Sequence, residues 1–364
     1  MGSCLKYRIE TEISDSLQGL LALTQLQGSI RSGARAVNGA MNTIIKRVLG
    51  WDQRTDAEKM AFRRFRYHLL RILGFYLASN VLLFLFPVPW LKRKIAPLYV
   101  TKAVATSAGL AATNAARHAV TLFPDVPGGY DALANIMLPG QSYYDWLQRF
   151  HEWLKPKSYV EIGVSTGASI VLARSPTVAV GIDPNPQLLE PPKTVCKIFP
   201  LMSDNYFATR DPYGDIEAES VDLAFIDGLH LFEQVLRDFI NIERISSRQT
   251  VVLIHDSFPV DALTAERDRK TAFWTGDVWK ILPCLHEFRP DLHLFTIAAP
   301  PSGLSVVTKL DSRSTVLMDR FNEIVSRYTS LQVDPDESRR RRRAIMVRNN
   351  WEEVVARLSG DLAE

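Results

Sequence analysis

The chain has 364 residues, enough for one large domain with an extension or for two domains. A formal net charge of +3, from 43 basic and 40 acidic residues, is too small to point to nucleic acid. Cys4, Cys196 and Cys284 have neither metal-ligand spacing nor the look of a disulfide framework, so a reducing, cytoplasmic compartment is expected. The first residues lack the apolar core of a secretory signal, and Lys6 breaks the myristoylation pattern that Gly2 would begin.

Residues 1–60 carry short stretches of helical spacing and little chemistry. From Ile72 to Leu91 the chain is uncharged, with arginines before it and Lys92, Arg93 and Lys94 after it. As a helix it would be about 30 Å long, but Asn80 lies within it and Pro87 and Pro89 break it. Basic flanks on both sides suit a helix lying on the inner, anionic face of a membrane. The alternative is a buried helix packed on the rest of the chain or on a second copy. Pro127-Gly128-Gly129 and Pro139-Gly140 mark a boundary, which divides the chain into a helical region 1–140, a catalytic domain 141–310 and a helical extension 311–364. Ser142 to Leu154 is then an amphipathic helix, with Tyr143, Tyr144 and Trp146 expected in the core.

The stretch from Ser158 to Asp183 organises the domain. Tyr159 to Ile162 and Val178 to Ile182 have the pattern of buried strands, with a glycine turn from Gly163 to Gly167 and the first turns of a helix over Ala168 to Ala173 between them. Such a unit puts glycine backbone at the carboxyl ends of parallel strands, where nucleotides bind. The dinucleotide fingerprint fails, because Ser165 stands where its middle glycine should be. Glu161 precedes the turn and would repel a diphosphate; Asp183, 22 residues on, suits ribose hydroxyls. Two carboxylates around Gly163 and Gly167 suit a cationic, phosphate-free nucleoside, and S-adenosylmethionine is one. A nicotinamide cofactor is disfavoured on the same residues.

Val195 to Pro200 is a third strand, followed by Ser203-Asp204-Asn205. Val221 to Ile226 is a fourth, ending in Asp227-Gly228-Leu229-His230 and a helix from Leu231 to Ile245. Thr250 to Ile254 is a fifth, ending in His255-Asp256-Ser257. Adjacent strand ends would bring Asp227 and Asp256 together, and two hard carboxylates suit a divalent cation such as Mg²⁺. His230 and His255 are the candidate bases, with His230 favoured because its turn faces the cleft. The charged loop 259–279 is a candidate lid in which Arg267, Arg269, Lys270, Phe273 and Trp274 could hold an acidic or sugar-bearing acceptor; Asp277 is read as the cap of the helix after it. Leu292 to Ala298 and Leu304 to Lys309 form a terminal hairpin, followed by helical runs and the Arg339–Arg343 tract.

On these motifs, residues 142 to 310 resemble the class I S-adenosylmethionine-dependent methyltransferases, in particular the small-molecule and sugar O-methyltransferases. The resemblance implies an α/β, doubly wound Rossmann-like sheet of seven strands with an antiparallel end. It implies Glu161, Gly163, Gly167, Asp183, Asp204 and Asp227 around the donor, Asp204 against the adenine amine. It also implies Asp227 and Asp256 around a metal and a small-molecule or glycan acceptor. Ser257 and His255 depart from the metal-ligand patterns of the catechol and sugar groups. The other class kept open is a membrane-attached scaffold that retains the fold without turnover.

Overall fold

A computed structural model describes residue 120, residues 129–331 and residues 345–362. The 72–91 segment and the arginine tract lie outside the described residues. Among the described residues no helix is long and apolar enough to cross a membrane.

From residue 129 the described chain runs through α1 (Gly129–Met137) and α2 (Tyr143–Leu154). Ser142 and Asp145 start α2 by a reciprocal capping box, which satisfies two otherwise orphaned N–H groups. β1 (Ser158–Ile162), β2 (Arg174–Ile182) and β3 (Lys193–Phe199) follow, then the short helices α3 (Ser203–Thr209) and α4 (Pro212–Ile216). β4 (Val221–Ile226), α5 (Phe232–Arg244) and β5 (Ser246–Ile254) form the next crossover. α6 (Ile281–Phe288), β6 (His293–Ile297), β7 (Leu304–Thr308), α7 (Val316–Asp319), α8 (Phe321–Thr329), β8 (Met346–Val347) and α9 (Trp351–Leu362) complete it.

Among the described residues, one sheet of order β3-β2-β1-β4-β5-β7-β6-β8 holds all the strands. β3, β2, β1, β4 and β5 are parallel, and β7 runs antiparallel to β5 and β6. β1 is buried throughout, as a central strand with both faces covered must be. Its alternation sorts the two cores. Val160 and Ile162 join Ala224, Ile226, Val252 and Ile254 under α5, α6 and α8. Tyr159 joins Leu223, Phe225, Val251 and Leu253 under α2 and α9.

Three expectations change. The sheet has eight strands, because Met346 and Val347 pair in parallel with Thr296 and Ile297 and α9 packs on the core; residues 345–362 thus complete the domain rather than extend it. The domain edge at residue 140 shifts too, since Tyr130 of α1 bonds Asp261 and stacks on Phe273. Finally, the helix expected after Gly167 is one 3-10 turn, Ile170–Leu172. β2 already starts at Arg174, and so few residues leave no room for a full crossover helix.

Candidate active site

The carboxyl ends of β1, β2, β4 and β5, with the segment after β3, open on a cavity of ≈ 520 Å³. That volume lies within the range of small-molecule sites. At its first end the turn after β1 is held tightly. Gly163 takes φ +94, and a Cβ there would stand 2.0 Å from the Asp227 carbonyl oxygen, so only glycine lets the turns after β1 and β4 meet. Ser165 also has positive φ (+47) and turns its N–H onto Asp183 Oδ2 at 2.8 Å. Asn185 N–H reaches Asp183 Oδ1 at 2.7 Å. Each carboxylate oxygen keeps acceptor capacity, and Asp183 lines the cavity.

At the other end two aspartates and two histidines interlock. β5 stops at Ile254, and Asp256 takes φ +56. This left-handed residue breaks the strand alternation, so His255 and Asp256 both reach the cavity instead of pointing to opposite faces. His230 Nδ1 donates to the Trp274 carbonyl at 2.9 Å, and its ring stacks on the Trp274 indole. Its Nε2 lies 3.1 Å from Asp256 Oδ2 and 3.7 Å from Asp227 Oδ1. Burial alone would lower the His230 pKa, but Asp256 and Asp227 outweigh it and raise it to about 9. Ligand atoms of Asp227, His230 and Asp256 lie within 4.8 Å of one another. That is a spacing one divalent cation can bridge.

The family described as "Methyltransferase domain" matches residues 160–257. That span runs from β1 to the residue after Asp256, and so contains both ends of the site. The chain carries a methyltransferase domain. With β7 antiparallel in the 3-2-1-4-5-7-6 order, it is of the class I, S-adenosylmethionine-dependent kind. Solved structures resemble it at low identity. The O-methyltransferase TomG from Streptomyces achromogenes, involved in tomaymycin synthesis and in complex with SAM, is 14% identical over 54% of this chain and 96% of its own, with TM-score 0.36. An O-methyltransferase from Bacillus cereus in complex with SAH is 11% identical over 58% and 99%, with TM-score 0.35. The SAH-bound Podospora anserina methyltransferase PaMTH1 is 17% identical over 62% and 98%, with TM-score 0.33. No curated protein matches the chain.

Within the methyltransferase domain, the structure brings Gly163, Asp183, Asp227, His230, His255 and Asp256 to the cavity wall. It does not bring Glu161, Gly167 or Asp204 there. Glu161 is 0% exposed, on the face of β1 opposite Ile162, and takes hydrogen bonds from Tyr159 (2.6 Å) and Ser169 (2.7 Å). Burial pushes its pKa up to about 8 against those two bonds. It braces the wall from behind. Gly167 is packed on Leu188, and Asp204 is turned outward to Arg237 at 2.9 Å.

His255 reaches the cavity but is a poor base. Ser302 donates to Asp256 Oδ1 at 2.6 Å, so His255 Nε2, 3.1 Å away, must donate to the Ser302 oxygen. His255 Nδ1 faces Asp227 Oδ1 at 3.2 Å. With both nitrogens donating, the ring is an imidazolium with no lone pair. Its pKa is raised to about 10, the two aspartates outweighing burial, and in return it helps hold Asp227 and Asp256 below the usual carboxylate range.

The loop cations are spent on the loop and on α5. Arg267 forks onto Glu233 and bonds Asp277, Arg269 donates to the Thr271 and Ala272 carbonyls, and Lys270 pairs with Glu266. None of the three lines the cavity. Asp277 caps the start of α5 through Phe232 N–H at 2.7 Å, not the helix after it. Other wall residues were not foreseen as such. Tyr143 and Tyr144 sit at the wall, Tyr143 stacked on His255 at 4.0 Å, because α2 covers the cavity mouth. Asp238 is another, and its signal was a carboxylate set among Val235, Phe239 and Ile242 on the buried stripe of α5.

Proposed function

We propose that the domain transfers the methyl group of S-adenosylmethionine to a hydroxyl oxygen of a small molecule or sugar. The observation that carries this reading is the meeting of Asp227, His230 and Asp256 at one end of a cavity whose other end presents Asp183. The cavity fits a sulfonium nucleoside in size and in sign. Asp183 offers acceptors for ribose hydroxyls, and once His230 has given up its proton the Asp227, Asp256 and His255 group carries one net negative charge where a cationic donor would lie. The same sign disfavours an acidic acceptor, since the loop cations are paired elsewhere.

Proton transfer follows from the hydrogen bonds. His230 Nδ1 is committed to a carbonyl, so a proton can arrive or leave only at Nε2. A hydroxyl beside Nε2 gives up its proton there as its oxygen attacks the methyl carbon and the carbon–sulfur bond breaks, leaving a neutral thioether. Asp256 stabilises the imidazolium that forms. Alignment of oxygen, carbon and sulfur accounts for much of the acceleration in such a transfer.

Asp227 and Asp256 would also hold a divalent cation such as Mg²⁺ or Mn²⁺, with His230 Nε2 left to act as the base. Such an ion supplies Lewis acidity that favours an ionised acceptor oxygen. The test is calorimetric titration with S-adenosylmethionine, with and without Mg²⁺ or Mn²⁺, for the wild type and Asp183→Ala. Micromolar binding lost in the variant supports the donor site. A metal effect abolished by the Asp227→Ala/Asp256→Ala double variant supports the cation. No binding to folded wild type sinks the reading and favours a scaffold.

A further inference from the structure

Part of what orients His230 comes from beyond residues 160–257, the span of the family match. The Trp274 carbonyl accepts from its Nδ1 at 2.9 Å, and the Trp274 indole lies against its ring with centroids 5.2 Å apart. Asp277 N–H donates to the His230 carbonyl at 3.3 Å. Gly276 takes φ +56, and a Cβ there would stand 1.8 Å from that same oxygen, so only glycine lets the two segments meet. Yet residues 259–277 are turns and bends, with neither a sheet ladder nor a helix of their own to fix them. A loop of that length holds a reacting group in one place only when it is tethered from outside itself.

Arg267 ties the middle of the loop to Glu233 of α5, and α1 holds both of its arms. Tyr130 of α1 is 2% exposed and shares a small core with Leu133, Ala134, Val260 and Phe273, separate from the two cores under the sheet. Its hydroxyl donates to Asp261 Oδ2 at 3.1 Å on the first arm. Its ring stacks on Phe273 on the second, with centroids 5.9 Å apart and planes 21° from parallel. Each arm then runs to the tryptophan that holds His230. Asp261 Oδ1 accepts from Thr264 N–H at 2.9 Å, and the Thr264 carbonyl accepts from Thr275 N–H at 3.0 Å and from the Thr275 hydroxyl at 2.9 Å. Phe273 is next to Trp274 in the chain, and the Trp274 indole N–H is tied back to the Glu266 carbonyl at 2.6 Å. The two paths close on Trp274 from either side. Burial and Asp261 hold the Tyr130 phenol pKa well above its ordinary value, so the hydroxyl stays protonated and donates.

Resting on the reading of His230 as the base, we infer that Tyr130 is a positioning residue for it: by gripping Asp261 and Phe273, Tyr130 sets the Trp274 carbonyl and ring that orient the imidazole. Tyr130 does not line the cavity and acts only through the loop. The base is thereby held from a helix that precedes the family motif, and that helix bears on the chemistry as well as on packing. A misplacement of about 1 Å at a reacting group can cost on the order of 10²-fold in rate. The other end of the cavity draws on neither α1 nor the loop, since Asp183 is locked by Ser165 and Asn185. Loss of Tyr130 is therefore felt at one end only.

The experiment is nuclear magnetic resonance on the full chain with labelled histidine and tryptophan, reading the Overhauser contact between the His230 ring and the Trp274 indole. His230→Gln and Trp274→Leu assign that contact, since each must abolish it. Tyr130→Ala should abolish it or weaken it several-fold while S-adenosylhomocysteine affinity, measured by calorimetry, stays unchanged. Tyr130→Phe keeps the stack on Phe273 and should retain most of the contact. An undiminished contact in folded Tyr130→Ala overturns the inference, and so does its absence from the wild type. Should Tyr130→Ala fail to fold, Phe273→Leu removes the stack alone and is expected to weaken the contact; an unchanged contact there overturns the inference as well. If the wild type binds no S-adenosylhomocysteine, the methyl-transfer reading has failed, a separate result, because the His230–Trp274 contact still reports whether Tyr130 sets the ring.

Discussion

The two ends of the cavity are built in different ways. The end proposed for the donor's ribose comes from one continuous stretch, Gly163 to Asn185, in which backbone N–H groups of the turns lock the Asp183 carboxylate. The end proposed for the acceptor is assembled from segments far apart in the chain. Asp227 and His230 follow β4, His255 and Asp256 follow β5, Ser302 precedes β7, and Trp274 lies in the loop before α6. A locally built site needs only its own turn and two strands. A convergent site needs each of those elements in place, and its protonation states are properties of the group rather than of any single residue.

This contrast can be broken at either end. The largest effect is expected at the acceptor end: His230→Gln should lower kcat by about 10²- to 10⁴-fold while leaving S-adenosylhomocysteine affinity unchanged, measured by single-turnover methyl transfer and calorimetry. In the wild type the rate should rise with pH toward about 9, because Nε2 must lose its proton to act as a base. Mg²⁺ or Mn²⁺ bound by Asp227 and Asp256 should move that midpoint down, and an unmoved midpoint at saturating metal would argue against the cation. Asp183→Ala tests the ribose end and should weaken donor binding by roughly 10- to 100-fold, with little change in the rate at saturating donor.

Two smaller effects sharpen the comparison. Glu161 has a folded pKa near 8, above its ordinary 4.5, so the folded state holds that proton more tightly than the unfolded state. Its contribution to stability is therefore fully present below about 4.5 and declines as pH rises through 8. Glu161→Gln should melt higher than wild type at pH 9, with the gap closing toward pH 5; parallel melting curves would refute this assignment. Trp274→Leu removes the ring stacked on His230 but keeps the carbonyl that orients it. It should lower kcat only about 2- to 10-fold.

Much of the fold was legible because buried strands and amphipathic helices carry their own periodicities. The runs 221–226, 293–297 and 304–308, and the helix over 232–244, stand within a residue or two of where apolar patterning puts them. The missing helix after Gly167 was not legible, since composition permits a helix that the distance to β2 forbids. β8 is only two residues long, too short to carry an alternating pattern, and exists because β6 offers it an edge.

At the site, the sequence by itself determined the type of pocket. Glycine at a position of φ +94, a carboxylate closing β2 and acidic ends on β4 and β5 are local statements about backbone and charge. Only the tertiary structure decided which side chains face the cavity. Glu161 and Asp238 show why. Glu161 is next to the turn in sequence, but strand alternation sends it to the far face, where Tyr159 and Ser169 occupy both oxygens. Asp238 sits in the middle of a helix, and it lines the cavity only because α5 packs beneath the turn after β4. Spacing tells which residues share a strand end or a helix face, whereas the partners that occupy or free a carboxylate come from elements the chain reaches only after folding.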